Sequence, residues 1–484
     1  MEESPTPRPS PAVDRALRAL ALAVGALGLF NLALTVALRL PSPWPLEWME
    51  GGVMHHALRL AQGDALYGPP SGRFVPYLYP PLAYLPFAAV LALVGPSLPL
   101  LRGVSLLSTA LALWGIGRMG ARAAGGRPVA GLACAGLFAL GFGYTGGFLD
   151  LVRVDAVFVA LLVWGVERLQ AGRPRAALWL LSASALAKQH GALVLAAASF
   201  GLLWRGRRAA LGQVLPPWIA LLGAGLWLEL ASGGWFFRYV IALPASHGTD
   251  WPLLLSFFAV DLLVYLPLLT VAAAFWLRPR LRTLDPVALS LCAALLVGAL
   301  GRAHPGGHDN VRLPAFALLC ALCLSPVLGA MLDRGARRHT RLLLGALLSL
   351  QALMLWQPPT AHRPLPATVS RFARLHGALQ RCAGDGPSAA LDHALLTGES
   401  LVHTMALSDL SLGQGDPALD AAARAALLTH LRSKRAPHAL AVGERFGALE
   451  TLLDERYEPC EYVKAPPMPT GYQPPTQRVY RLRR

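Results

Sequence analysis

Long apolar stretches separated by short polar gaps fill the chain as far as residue 357, and beyond it they stop. The apolar runs cover 15–38, 79–95, 100–118, 128–147, 154–170, 175–187, 190–204, 211–231, 252–277, 284–301, 311–332 and 340–357. A helix needs roughly twenty residues to cross the hydrocarbon layer, so the longer runs predict spanning helices and the shorter ones buried or re-entrant segments. The first run is too long for a cleaved leader and has no small-residue cleavage site after it, which makes it an uncleaved first span. From 358 the spacing changes to amphipathic helices over 365–382 and 418–434 and short strands over 438–443 and 457–463. Pro466, Pro467, Pro469, Pro474 and Pro475 require extended chain near the end.

The expected architecture is therefore an all-α polytopic membrane bundle with about eleven spans, interfacial helices in its first outer loop and a small C-terminal α/β domain. Its expected divisions are a cytoplasmic tail over 1–14, a transmembrane body over 15–357 and an extracytoplasmic domain over 358–484.

Composition agrees with the pattern. Of 484 residues, 55% are hydrophobic and only 14% charged, whereas a water-soluble surface needs about a quarter. The net charge of +16 does not point to nucleic acid, because the arginines sit in short gaps between apolar runs and form no basic stripe with interleaved aromatics. If 79–95 dips into the membrane edge and returns, Arg118–Arg127, Arg168–Arg175, Arg205–Arg208, Arg278–Arg282 and Arg334–Arg341 all fall on the cytoplasmic side. That arrangement puts roughly nineteen Lys/Arg inside and about eight outside. Cys134, Cys292, Cys320 and Cys323 lie in apolar runs and read as core. Cys382 and Cys460, in the polar tail, are candidates for one disulfide.

The unusual residues collect on the other side. Glu47 and Glu50 stand in the loop 39–78, within EWMEGG. Glu50 opens an amphipathic stretch beside lipid, where desolvation raises a carboxylate's basicity and suits a general base. The competing reading is a charge satisfying the free amides of a helix start, and Glu47 is the rival base. The turn FLDLVRVDAVF carries Asp150, Arg153 and Asp155. Arg153 reads as a partner for a nearby carboxylate or as part of a site, and Asp155 as a second acid facing Glu50 across one cavity. Lys188-Gln189-His190 interrupts two apolar runs, and an ammonium beside an amide donor suits a phosphate oxygen; the alternative is a snorkelling lysine. GRAHPGGHDNVRLP offers Arg302 and Arg312 as an anion cradle, with His304, His308 and Asn310 between them. The histidine spacing matches no strong zinc pattern, which favours phosphate over metal. His247 is a weaker candidate.

With these residues in this order, the chain resembles the GT-C glycosyltransferases. That polyprenyl-phosphate-sugar-dependent class includes protein O-mannosyltransferases and lipid A aminoarabinose transferases. The likeness is carried by WMEGG, RLAQGDALYGPP, PYLYPPL, Arg153-x-Asp155, Lys188-Gln189 and GGHDN, over about 310 residues. It implies inverting transfer, in a bacterial inner membrane, from a polyprenyl-phosphate sugar to an envelope glycan, lipid or protein. Glu50 and Asp155 would be the acidic residues, and Lys188, Arg302 and Arg312 the donor-phosphate ligands. Glu47, Tyr77, Tyr79, Arg153, Gln189, His190, His308 and Asn310 would complete the substrate site. Relatives differ on metal, so no cofactor is assigned and a divalent cation stays open. The competing class is a transporter or flippase of a lipid-linked anion, which needs no base poised in a loop and binds near the bilayer midplane.

Overall fold

The computed structural model describes residues 11–206, 208–393, 401–443, 447–470 and 476–483. Pro474, Pro475, Arg207 and most of the N-terminal tail lie outside the described residues. The first apolar run folds as one 29-residue helix, Pro11–Arg39. It packs against Pro128–Leu140 where both helices have shed their side chains. A Cβ on Gly28 would stand 2.1 Å from the Gly136 carbonyl oxygen, and one on Gly136 would stand 2.4 Å from Gly25 Cα. Small residues let backbones approach in this way when lipid supplies no hydrophobic drive for association.

Among the described residues, six helices are long and apolar enough to cross a membrane, or seven if the pair Trp251–Val264 and Pro267–Leu281, bent by 102°, counts as one. The other apolar runs fold as shorter helices packed among these. Pro81–Val94 is one of them, too short to span. The bundle's outward faces carry large apolar side chains: Leu93 is 84% exposed, Phe275 74%, Leu230 73% and Leu353 71%. Apolar surface on this scale is satisfied by lipid, and the chain is a membrane protein.

The arginine clusters gather at one end of the bundle. Arg334 and Arg341 hold Asp14, at 2.7 and 2.6 Å, beside the start of the first helix. Arg127 donates to the Gly329 carbonyl at 3.1 Å. Arg118, Arg122 and Arg168 converge on the buried Glu167, and Arg205 meets Asp285 at 3.0 Å. At the far end of the first helix, the fully buried Arg39 donates to both oxygens of Asp150, at 2.7 and 3.0 Å, and to the Gly147 carbonyl at 2.9 Å.

The C-terminal part is a four-stranded sheet with helices. Its strands are β1 Ser388–Ala390, β2 Ala439–Val442, β3 Tyr457–Val463 and β4 Gln477–Leu482, in the order β1-β2-β4-β3. β1 and β2 are parallel, and the other pairings are antiparallel. The amphipathic stretches fold as Pro366–Ala383 and Pro417–Arg432. Cys382 and Cys460 are disulfide-bonded, tying the first of these helices to β3. Trp44 of the first loop stacks on Phe372 of that helix with centroids 5.8 Å apart, so this part is seated directly on the loop that carries Glu47 and Glu50.

Candidate active site

The site is built around one buried ion pair. Arg102 lies in the first turns of Leu98–Ala123, at the bundle end opposite the arginine clusters, and both it and Glu50 are completely buried. Glu50 Oε1 accepts from Arg102 Nε at 3.0 Å and from the Val152 amide at 3.0 Å. Its Oε2 accepts from Arg102 Nη2 at 2.7 Å and from the Leu46 amide at 2.6 Å. Arg102 also donates to the carbonyls of Ser42 and Trp44, at 2.7 and 2.9 Å. The pair thus fastens a helix, the loop 42–50 and the turn 149–153 at one point.

These contacts correct the expectation for Glu50. Burial alone would raise its pKa, but the Arg102 guanidinium and the two amides hold it below the usual carboxylate value. Both oxygens are occupied, and Glu50 neither faces Asp155 across a cavity nor has an oxygen free for a substrate proton.

Glu47 is in the opposite position. It is 3% exposed, and its nearest cation is Arg153 Nη1, at a long 3.3 Å from each oxygen. The Met49 amide donates to its Oε2 at 3.0 Å. Desolvation outweighs Arg153 here, and the carboxyl is pushed up to about 7. Arg153 also contacts the Met49 sulfur, and its Nη2 is 3.5 Å from the Tyr79 hydroxyl. Tyr77 is packed so closely on Gly52 that a Cβ there would lie 1.9 Å from its hydroxyl oxygen. This approach is what the second glycine of EWMEGG permits. His56 holds the Tyr77 backbone: Nδ1–H donates to the Gly52 carbonyl at 2.7 Å, and Nε2 accepts from the Tyr77 amide at 2.7 Å. Burial depresses the imidazole to about 3, so it stays neutral in this arrangement.

Asp155, at the first turn of Val154–Gln170, binds Lys188 and Asn310. Its Oδ1 accepts from Lys188 Nζ at 2.8 Å and from Asn310 Nδ2 at 3.0 Å. Its Oδ2 is buried without a hydrogen bond and stands 3.7 Å from Arg153 Nε. Asp155, Lys188, His190 and Asn310 line one small cavity with Phe158, Val297 and Pro314. Lys188 Nζ also lies 5.7 Å from the Tyr79 ring centroid. Gln189 does not add an amide donor to this group: its Nε2 donates to the carbonyls of Leu78, at 2.9 Å, and Val240, at 3.4 Å. It fastens two loops.

The anion cradle expected of Arg302 and Arg312 is also corrected. Asp261, fully buried within the apolar stretch 252–277, pairs with Arg302 at 3.3 Å and Arg312 at 2.9 Å. Asp309 pairs with the same two arginines, at 3.3 and 2.7 Å. Two cations facing two carboxylates leave no net charge for a phosphate. His308 is exposed beside this cluster. His304 Nε2 and His247 Nδ1 are 2.8 Å apart. Among the described residues no group of three or more His, Cys, Asp or Glu is arranged to hold a metal ion. Arg102 and Asp261 were missed as site residues, although each is a lone charge inside an apolar run. That costly placement was the available signal.

No family model matches the chain, and no curated protein matches it in sequence. Solved structures do. ArnT from Cupriavidus metallidurans in the apo state aligns with a TM-score of 0.58 at 13% identity, covering 96% of this chain and 97% of that one. The same protein bound to undecaprenyl phosphate aligns with a TM-score of 0.52 at 13% identity, covering 94% and 97%. The chain shares the fold of these ArnT structures. The alignment runs through both the bundle and the C-terminal sheet, since it leaves only a few per cent of either chain uncovered.

Glu50→Ala strands a buried guanidinium, and is expected to lower stability by roughly 3–5 kcal/mol. Glu47→Gln, which removes only long contacts, is expected to cost under about 1 kcal/mol. Thermal unfolding of the two variants in detergent checks the difference.

Proposed function

We propose that the chain is a membrane glycosyltransferase that moves a sugar from a polyprenyl-phosphate carrier to an acceptor hydroxyl on the non-cytoplasmic side, with Glu47 as general base. The observation that carries this reading is Glu47 itself. It is a buried, weakly paired carboxyl held at about 7, among cations, in a fold shared with a protein bound to undecaprenyl phosphate. A base poised near neutrality removes a proton most effectively, by roughly 10²–10⁴-fold in rate.

The acceptor oxygen attacks the anomeric carbon while Glu47 takes its proton, and the bond from that carbon to the phosphate oxygen breaks. The lipid phosphate leaves with both electrons of that bond, and one direct displacement inverts the anomeric centre. Lys188 Nζ donates one hydrogen bond, to Asp155, which leaves two N–H donors for phosphate oxygens. Arg153, whose Nε is buried without a partner, supplies a second cation. Charge-assisted donors fixed in a dry site stabilise the leaving phosphate without reorganising. Asp155 orients Lys188. Arg302 and Arg312, neutralised by Asp261 and Asp309, hold the wall around Asn310.

The test is transfer from radiolabelled polyprenyl-phosphate sugars to candidate acceptors by the full chain in lipid nanodiscs. Glu47→Gln is expected to lower kcat by roughly 100-fold or more. Vectorial movement of the lipid with no sugar transfer would support a transporter instead. Because Glu47 must be ionised to act, kcat/KM is expected to rise with pH through about 7 and to level off above it. A midpoint near the ordinary glutamate value of 4.5 would move the base elsewhere.

The clustering of Arg118, Arg122, Arg168, Arg334 and Arg341 at the end away from Glu47 supports a cytoplasmic position for that end. Single cysteines at exposed Gln62 and Arg173 should then react with impermeant thiol reagents from opposite compartments. Labelling of both from one side refutes the orientation.

A further inference from the structure

The C-terminal part lays the short helix Thr404–Ser411 over the site and pins it there by backbone contacts. The Val402 amide donates to the Gly72 carbonyl at 3.2 Å and the Gln414 amide to the Ser246 carbonyl at 3.1 Å. His403 Nε2 lies 3.1 Å from the Trp48 carbonyl, one residue from Glu47, and its ring meets Tyr77 edge-on at 6.1 Å. Arg238 pairs with Asp416 at 2.7 Å just beyond the helix. Within the helix, the Asp409 carbonyl accepts from His247 Nε2 at 2.8 Å, which requires the proton on that nitrogen.

With its backbone fixed from the bundle, Asp409 has a side chain that nothing in the fold uses. It is 7% exposed. No described residue donates a hydrogen bond to its carboxyl. The charge acting on it is Arg153, and it acts in turn on Tyr77 and Tyr79. A buried carboxyl without hydrogen-bond partners is costly, and one that persists in the helix laid over the site, within the field of Arg153, points to a ligand that completes it. Arg153 makes that ligand a poor candidate for a cation. Two carboxyl oxygens with no donor among the described residues, in a helix whose preceding His403 meets the Tyr77 ring, match instead the adjacent hydroxyls and apolar face of a sugar.

We propose that Asp409 is a sugar-binding residue, inserted into the active site by the C-terminal part to receive sugar hydroxyls. The inference rests on the glycosyltransferase reading above. The sugar is either that of the donor or that of the acceptor, and kinetics separate the two.

The experiment uses the full chain, Asp409→Asn and Asp409→Ala in nanodiscs, with transfer from radiolabelled undecaprenyl-phosphate sugars and binding of bare undecaprenyl phosphate as readouts. KM is expected to rise roughly tenfold or more, the effect of one lost charged hydrogen bond. The rise is in donor KM if Asp409 holds the transferred sugar and in acceptor KM if it holds the acceptor. Bare undecaprenyl phosphate should bind both variants as it binds the parent, and thermal midpoints should hold or rise, since an unpaired buried carboxyl is being removed. Both KM values within twofold of the parent overturn the assignment. So does a fall in midpoint or in bare-lipid binding matching the loss of transfer, which would make Asp409 a packing residue. A parent inactive with every donor overturns the glycosyltransferase reading, and this one with it.

Discussion

The pairing of Arg102 with Glu50 is the constraint on which the site's geometry depends. Away from water, a guanidinium and a carboxylate are tolerated only when every hydrogen-bonding position is used. Here the unused positions are filled by backbone: the Leu46 and Val152 amides and the Ser42 and Trp44 carbonyls. Satisfying the pair therefore dictates the path of two loops. Glu47 follows one residue after Leu46 and Arg153 one residue after Val152, so both arrive at the site already oriented.

Around that anchor, most of the buried charges at this end of the bundle meet opposite ones. Arg39 holds Asp150, Lys188 holds Asp155, and Arg302 and Arg312 hold Asp261 and Asp309. What differs is completeness. Glu50 accepts four hydrogen bonds of 2.6–3.0 Å, whereas Glu47 has only long contacts to its cation, and Asp155 leaves one oxygen unpaired. A saturated ion pair is scaffold, and an unsaturated one keeps capacity for a substrate. By this measure Glu47, Arg153, Lys188 and Asp155 keep that capacity.

The C-terminal part belongs to the same construction. Trp44 and Trp48 reach from the first loop into its helix–sheet packing, and His403 reaches back to the Trp48 carbonyl. A periodicity of amphipathic helices and short strands revealed Pro366–Ala383, Pro417–Arg432, β2 and β3 in advance, but not the helices Thr404–Ser411 and Gly447–Arg456. It did not reveal β1, only three residues long, nor β4, whose antiparallel partners lie on either side of it in the sheet.

Hydrophobic spacing alone determined that the chain lives in a membrane and that a polar α/β part follows residue 357, because burial of apolar surface and the cost of charge in lipid act locally along the chain. Of the candidates read from the charged turns, Asp155, Lys188 and Asn310 meet directly, whereas Glu50 is held by Arg102 and Arg302 and Arg312 by Asp261 and Asp309. Only the tertiary structure decided which partners each of them meets. A carboxylate's basicity depends on how many donors reach it, and the donors to Glu50 come from positions 46, 102 and 152, separations that no local pattern records. Asp261 cancels Arg302 and Arg312 from some forty to fifty residues away for the same reason: charge is compensated through space, and sequence reports it only along the chain.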